Sequence, residues 1–307
     1  MHRHPPAAAA VVLSAVLAAA ACGGGSDSPA GGGRPSVVVT TTILGDVVSH
    51  LVGDSATIEV LMPPNTDPHD FQVSARQAAA MREADLLVVN GGGFEAGLDD
   101  AIRSAEADGA TVFTALDHAD PLPGSGGGDD VDPHFFTDPA RMIGVAEALA
   151  AELADRVADL DTPAYRDRSA AYLDDLRTLD GEVAGTLAAV PPADRKLVTN
   201  HDVFAYFADR YGFTVVGTVI PSLSTSAEPS AGELDDLAAT VEAEGVRAIF
   251  ADTSSPEALA GALAGEVGEV EVVELYSESL GDPGSDGATY IEMIRTDADR
   301  IARALAP

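Results

Sequence analysis

The stretch PAYRDRSAAYLDDLRTLDGEVAGTLAAVPP, residues 163–192, divides the chain in two. Pro163 suits the first turn of a helix, where its missing N–H is no loss, and Pro191-Pro192 cannot continue one. Between them Tyr165, Tyr172, Leu176, Leu179, Val183 and Leu187 recur at three-, four- and seven-residue steps, so one face of a long helix is apolar. On either side of it the chain alternates short β-rich runs with helical segments. The helix reads as a connector, residues 161–192, between two halves.

In the first half the predicted strands are Ser36–Thr42, Thr57–Leu61, Asp85–Asn90 and Ala110–Phe113, with helices at 44–51, 74–83, 95–107 and 138–159. In the second they are Lys196–Thr199, Thr214–Val219, Val246–Phe250 and Val270–Leu275, with helices at 203–211, 230–244, 256–265 and 288–305. Strands alternating with helices at this spacing imply parallel sheets. The expected fold class is α/β, in two similar lobes spanning residues 36–160 and 193–307. The triple glycine Gly91–Gly93 is not a dinucleotide fingerprint, because it follows the third strand and lacks the GxGxxG spacing.

The 307 residues carry 50 Asp and Glu against 17 Lys and Arg, a net charge of -33. Such a field repels nucleic acid and anionic lipid and concentrates cations, although most of the charge needs no role beyond solubility. The N-terminus carries Arg3, an apolar run from Ala7 to Ala21, and then the single cysteine, Cys22, ahead of three glycines. Residues 1–21 read as a secretory signal and Cys22 as a lipoprotein-type acceptor, with Ala19 standing where leucine is usual. Residues 22–35 form the lipidated cysteine and a flexible Gly/Ser/Pro tether. No other run reaches the ~20 apolar residues that span a bilayer. Without a second cysteine, intramolecular disulfides and thiolate zinc sites are excluded.

Seven histidines remain to be explained. Two sit in identical tripeptides, Asp67-Pro68-His69 and Asp132-Pro133-His134, and a third in Asn200-His201-Asp202 at the end of an apolar run. Each lies in a loop beyond the carboxyl end of a predicted strand, the edge where open α/β sheets bind ligands. Imidazole and carboxylate suit borderline first-row ions, zinc above all. His69, His134 and His201 are therefore candidate metal ligands together with a late carboxylate. Asp70, Asp132 and Asp202 are each placed to orient an imidazole, with Asp202 placed equally to cap the helix that follows, the favoured role. His50 and His118 lack such contexts, and His2 and His4 belong to the signal.

With these motifs in order, from about Val37 to Ala304, the chain resembles the zinc/manganese-binding lipoproteins of ABC importers, the cluster 9 solute-binding proteins. The likeness rests on Asp67–Phe71, Asp132–Pro139, Asn200–Phe207 with Tyr211-Gly212, Ala84–Gly91 and a late Tyr290. It implies two lobes bridged by a rigid helix with the metal in the cleft between them, and ligand roles for His69, His134 and His201. It points to Glu278, in Leu275-Tyr276-Ser277-Glu278, as the fourth ligand, while Asp252 after the preceding strand is the alternative from the residues alone. It also implies a permease and its ATPase as partners, and a monomer held by lipid at the extracytoplasmic face of the membrane.

Two departures from the family pattern bear on the metal. Residues 121–130 hold no histidine where many zinc-specific members carry a His-rich loop, and His201 stands where manganese-specific members commonly have Glu. Imidazole in place of a hard carboxylate favours Zn²⁺, with Mn²⁺ and Fe²⁺ the alternatives. A metal-dependent hydrolase would need an open coordination position and a base. The chain offers no HExxH, GxSxG or evident base, so capture and delivery without a chemical step is expected, and no catalytic residue. A protein that uses metal only structurally is the other rival.

Overall fold

Val37, Val38 and Val39 are all buried, as a strand with neighbours on both edges and cover on both faces requires. They belong to β1 (Ser36–Val39), which pairs in parallel with β2 (Thr57–Val60) on one side and β3 (Leu86–Val89) on the other. β4 (Val112–Thr114) completes a four-stranded sheet of order β2-β1-β3-β4. The second half repeats the arrangement. β5 (Lys196–Thr199), β6 (Thr214–Thr218), β7 (Ala248–Asp252) and β8 (Glu271–Leu275) form a parallel sheet of order β6-β5-β7-β8. The molecule is thus a pair of similar α/β lobes. The computed structural model describes residues 34–125, 130–254, 258–268 and 270–307; the expected signal segment, Cys22 and all of the tether before Arg34 lie outside them.

Helices start where a side chain can satisfy their first N–H groups. α1 (Thr42–Val52) begins two residues earlier than expected because the Thr41 hydroxyl accepts from Leu44 N, which ends β1 at Val39. α2 (Ala75–Glu83) is opened by a capping box of Ser74 and Gln77. The predicted 95–107 helix is broken: Ala96–Leu98 is a 3₁₀ turn and α3 (Asp99–Ala107) follows, because the Glu95 side chain turns inward. α4 (Pro139–Arg156) is capped by Asp138, and α5 (Pro163–Leu187) by Thr162 with Pro163 in its first turn. In the second half lie α6 (Ala205–Tyr211), α7 (Ala231–Glu244), α8 (Ala258–Val267) and α9 (Tyr290–Leu305).

The 25 residues of α5 make a rod about 37 Å long. Its buried stripe is the predicted one, with Ser169 added. That stripe packs on α1 and α4 of the first lobe and on α9 of the second. One apolar cluster consequently runs from Val39 and Leu44 through Leu176 and Leu179 to Phe204, Tyr290 and Ile301, and smaller clusters line the far face of each sheet. Because both lobes bury apolar surface on one helix, separating them exposes core, which favours a stiff hinge over a loose one.

Candidate metal centre

The two Asp-Pro-His tripeptides build the same turn. In each the aspartate Oδ1 accepts from the backbone N–H of the histidine two residues on, Asp67 from His69 and Asp132 from His134, both at 2.9 Å. They then diverge. Asp132 Oδ1 also accepts from His134 Nδ1 at 2.7 Å, so the ring is oriented as well as the backbone. Asp67 instead uses its second oxygen to accept from the Thr225 hydroxyl at 2.6 Å, tying the His69 loop to the opposite lobe.

His69 follows β2, His134 follows β4, His201 follows β5 and Glu278 follows β8, all at the carboxyl ends of the strands. The structure brings the four together, two from each lobe. One donor atom from each lies within 4.8 Å of the others, and all four residues are buried. Glu278 Oε1 is the hub, 2.9 Å from His69 Nε2, 3.1 Å from His201 Nε2 and 3.4 Å from His134 Nε2. The three rings meet edge to face, with centroids 5.4–5.9 Å apart, and Phe94 lies edge-on to both His69 and His134.

The electrostatics follow from burial and charge. Burial alone would raise the Glu278 carboxyl, but His201, His134 and His69 around it override that and hold it well below the usual range. Burial alone would lower His134, yet a carboxylate stands at each of its ring nitrogens, and Asp132 with Glu278 raises it to about 9. Asp252 is pushed up to about 6, by burial first and then by the nearby Glu278 charge. It accepts from Ser254 and Ser277 and contributes no donor atom to the cluster.

Several expected neighbours act differently. Asp132 orients an imidazole, but Asp70 does not; it accepts from the Ser226 hydroxyl at 3.3 Å. Asp202 is not a helix cap, because α6 starts at Ala205 with Phe204 at the cap position and no side-chain bond there. The Asp202 backbone N–H binds Ser222 O instead, so the chain makes a further turn before helix can begin. His50 stacks on Tyr172 and His118 on Phe113, away from the centre.

Glu95 escaped the sequence reading. Its buried carboxylate accepts from Asn90 N, Gly91 N and the Thr40 hydroxyl, joining the ends of β1 and β3, and burial raises its pKa. Asn90 Nδ2 in turn donates to Pro133 O at 3.0 Å. Gly91, Gly92 and Gly93 all have positive φ, and a Cβ on Gly92 would lie 3.3 Å from the Pro133 Cβ and 2.6 Å from Leu116 Cδ2. Gly92 thus lets this turn pass close to Pro133 in the His134 loop. Asn90 and Gly91 lie in a stretch that the family resemblance covers, whereas nothing local marks Glu95.

The family model described as periplasmic zinc-uptake complex component A matches residues 37–304. The chain belongs to this family. Among its relatives, the zinc-binding protein TroA of Treponema pallidum is 30% identical over 271 residues, 86% of each chain. The manganese-binding lipoprotein MntA of Halalkalibacterium halodurans is 27% identical over 265 residues, again 86% of each. The solved structure of the periplasmic zinc-binding protein TroA from T. pallidum has the same fold, with a TM-score of 0.83 at 29% identity, covering 90% of this chain and 100% of that one. Membership of the zinc-uptake component A family therefore agrees with the two parallel sheets and with the motifs read from the residues.

Proposed function

We propose that the protein is the solute-binding component of an ABC importer, capturing Zn²⁺ between its lobes and delivering it to a membrane permease. The observation that supports this most is the convergence of three imidazole nitrogens and one carboxylate oxygen within 4.8 Å. Zinc bonds of about 2.0–2.1 Å place the donors of a tetrahedral shell about 3.3 Å apart. The separations of 2.9, 3.1 and 3.4 Å around Glu278 Oε1 lie close to that value. His69, His134, His201 and Glu278 are accordingly the proposed ligands, with Asp252 behind them.

Relatives include both zinc- and manganese-binding proteins. Three nitrogen donors favour Zn²⁺; Mn²⁺, whose preferred partners are oxygens, and Fe²⁺ are the competitors. In the proposed cycle, the acidic surface concentrates extracytoplasmic cations, and Glu278, already ionised, neutralises part of the charge of the ion. A lipid on Cys22 holds the protein, as a monomer, at the extracytoplasmic face of the membrane. The permease and its ATPase receive the ion. The lobes are taken as residues 36–160 and 193–307 around the 161–192 connector. No chemical step is needed: with Glu278 directed at the histidines, four protein donors complete the shell that a hydrolytic site would leave open.

The test is metal analysis of the chain from Gly23 onward, with Zn²⁺ titrated against Mn²⁺. One tightly held zinc that manganese displaces only in large excess is the expected result. A preference for manganese would reassign the ion, and no stoichiometric metal would refute the proposal.

A further inference from the structure

His134 is held by two tyrosines from the other lobe. The Tyr206 hydroxyl, on α6, donates to Asp132 O at 2.6 Å, and the Tyr290 hydroxyl, at the start of α9, donates to Phe136 O at 2.8 Å. These are the carbonyls two residues before and two residues after His134. Both tyrosines are fully buried, with relative exposure of 0%. Tyr206 also accepts from Leu122 N at 2.9 Å, and the Tyr290 backbone N–H donates to Asp46 on α1 at 3.0 Å, so each makes a second bond to the first half of the chain.

We infer that Tyr206 and Tyr290 are positioning residues that clamp the His134 segment to the second lobe and thereby set how long the ion stays bound. This rests on the reading of His134 as a ligand. His201 and Glu278 belong to the second lobe. Although His134 comes from the first half of the chain, the hydroxyls register it against those two. The apolar packing on α5 resists separation of the lobes without fixing their register, whereas a hydroxyl-to-carbonyl bond holds at one geometry only. Opening the cleft while His134 stays with its own lobe breaks both bonds. The clamp therefore acts on dissociation more than on capture, since most changes at a preformed site appear in the off-rate.

The experiment compares Tyr206→Phe and Tyr290→Phe with Tyr165→Phe in the chain from Gly23 onward. Tyr165 donates to Ala150 O at 2.6 Å, the same chemistry away from the centre. Zinc release into excess chelator is followed by stopped flow, and melting temperature is measured without metal. The expected result is release about tenfold faster in both clamp variants with association unchanged, and release from Tyr165→Phe within about twofold of wild type. All three lose some stability, which is why melting alone does not discriminate. Release from the two clamp variants within about twofold of wild type overturns the inference. If one variant does not fold, the other decides; if neither folds, the hydroxyls are purely structural and the inference fails. A His134→Ala control that releases zinc like wild type would instead place the error in the ligand reading.

Discussion

Glu278 Oε1 and His69 Nε2 lie 2.9 Å apart although 209 residues separate them in the chain. The contact crosses from the loop after the last strand of the second half to the loop after the second strand of the first. Both side chains are buried, so each satisfies a group that would otherwise be stranded away from water. The same oxygen faces His201 and His134, which makes Glu278 the residue on which the cluster most depends.

Glu278→Ala should weaken zinc binding by about 100-fold or more, whereas Asp252→Asn should change it by about tenfold or less. Competitive titration with a chromophoric chelator measures both. Equal losses would move the fourth ligand to Asp252.

Zinc affinity should rise with pH across neutrality. In the metal-free protein His134 titrates at about 9, with Asp132 on one nitrogen and Glu278 facing the other, and the ion must displace that proton. Below pH 9 binding therefore releases a proton, and affinity climbs as pH rises from 6 toward 9. Calorimetry in buffers of different ionisation enthalpy counts the protons; none released at pH 7 would contradict the assignment.

Stability of the metal-free protein should move the opposite way. His134 is raised from 6.5 to about 9, so its contribution is complete below pH 6.5 and is lost as pH rises through 9. The raised Asp252 and Asp297 also favour the folded state at lower pH. Glu278, held low, contributes above 4.5 and is lost only on acidification. The metal-free melting temperature should fall between pH 6.5 and 9, with the His134 share on the order of 3 kcal/mol. Zinc protection should grow over the same range. A melting temperature that climbs with pH in chelator would exclude this balance.

The two identical tripeptides should respond unequally. Asp132→Ala removes the bond to the imidazole as well as the backbone turn and should cost about 10–100-fold in zinc affinity. Asp67→Ala removes a turn and a link to Thr225 but no ring contact, so its cost should be several-fold smaller. Comparable losses in the pair would show that the backbone turn alone matters.

Leu176→Ala, in the fully buried stripe of α5, should destabilise the protein by about 2–5 kcal/mol through the cavity it leaves. Zinc stoichiometry should stay at one, because none of the four donors lies on α5. Denaturant unfolding and metal analysis on the same sample test both statements.

Much of this was legible because the signals were local. The repeated Asp-Pro-His tripeptide, the strand-terminal His201 and the periodicity of 163–187 each depend on residues a few positions apart, and proline and threonine fix the start of α5. Strand centres were placed well and helix starts less so. The cap at Thr41 and the turn before Ala205 depend on which hydrogen bonds the surrounding loops leave to be made.

By itself the sequence determined the α/β class, the two halves, the long connecting helix and the candidate ligands, since periodicity and side-chain chemistry are properties of short segments. The tertiary structure alone decided that Glu278 rather than Asp252 faces the histidines, that Asp132 but not Asp70 orients a ring, and that Tyr206 and Tyr290 reach across to hold His134. Those relations join atoms far apart in the chain. They are set by the packing of both lobes on α5, where burial makes an unpartnered polar group costly.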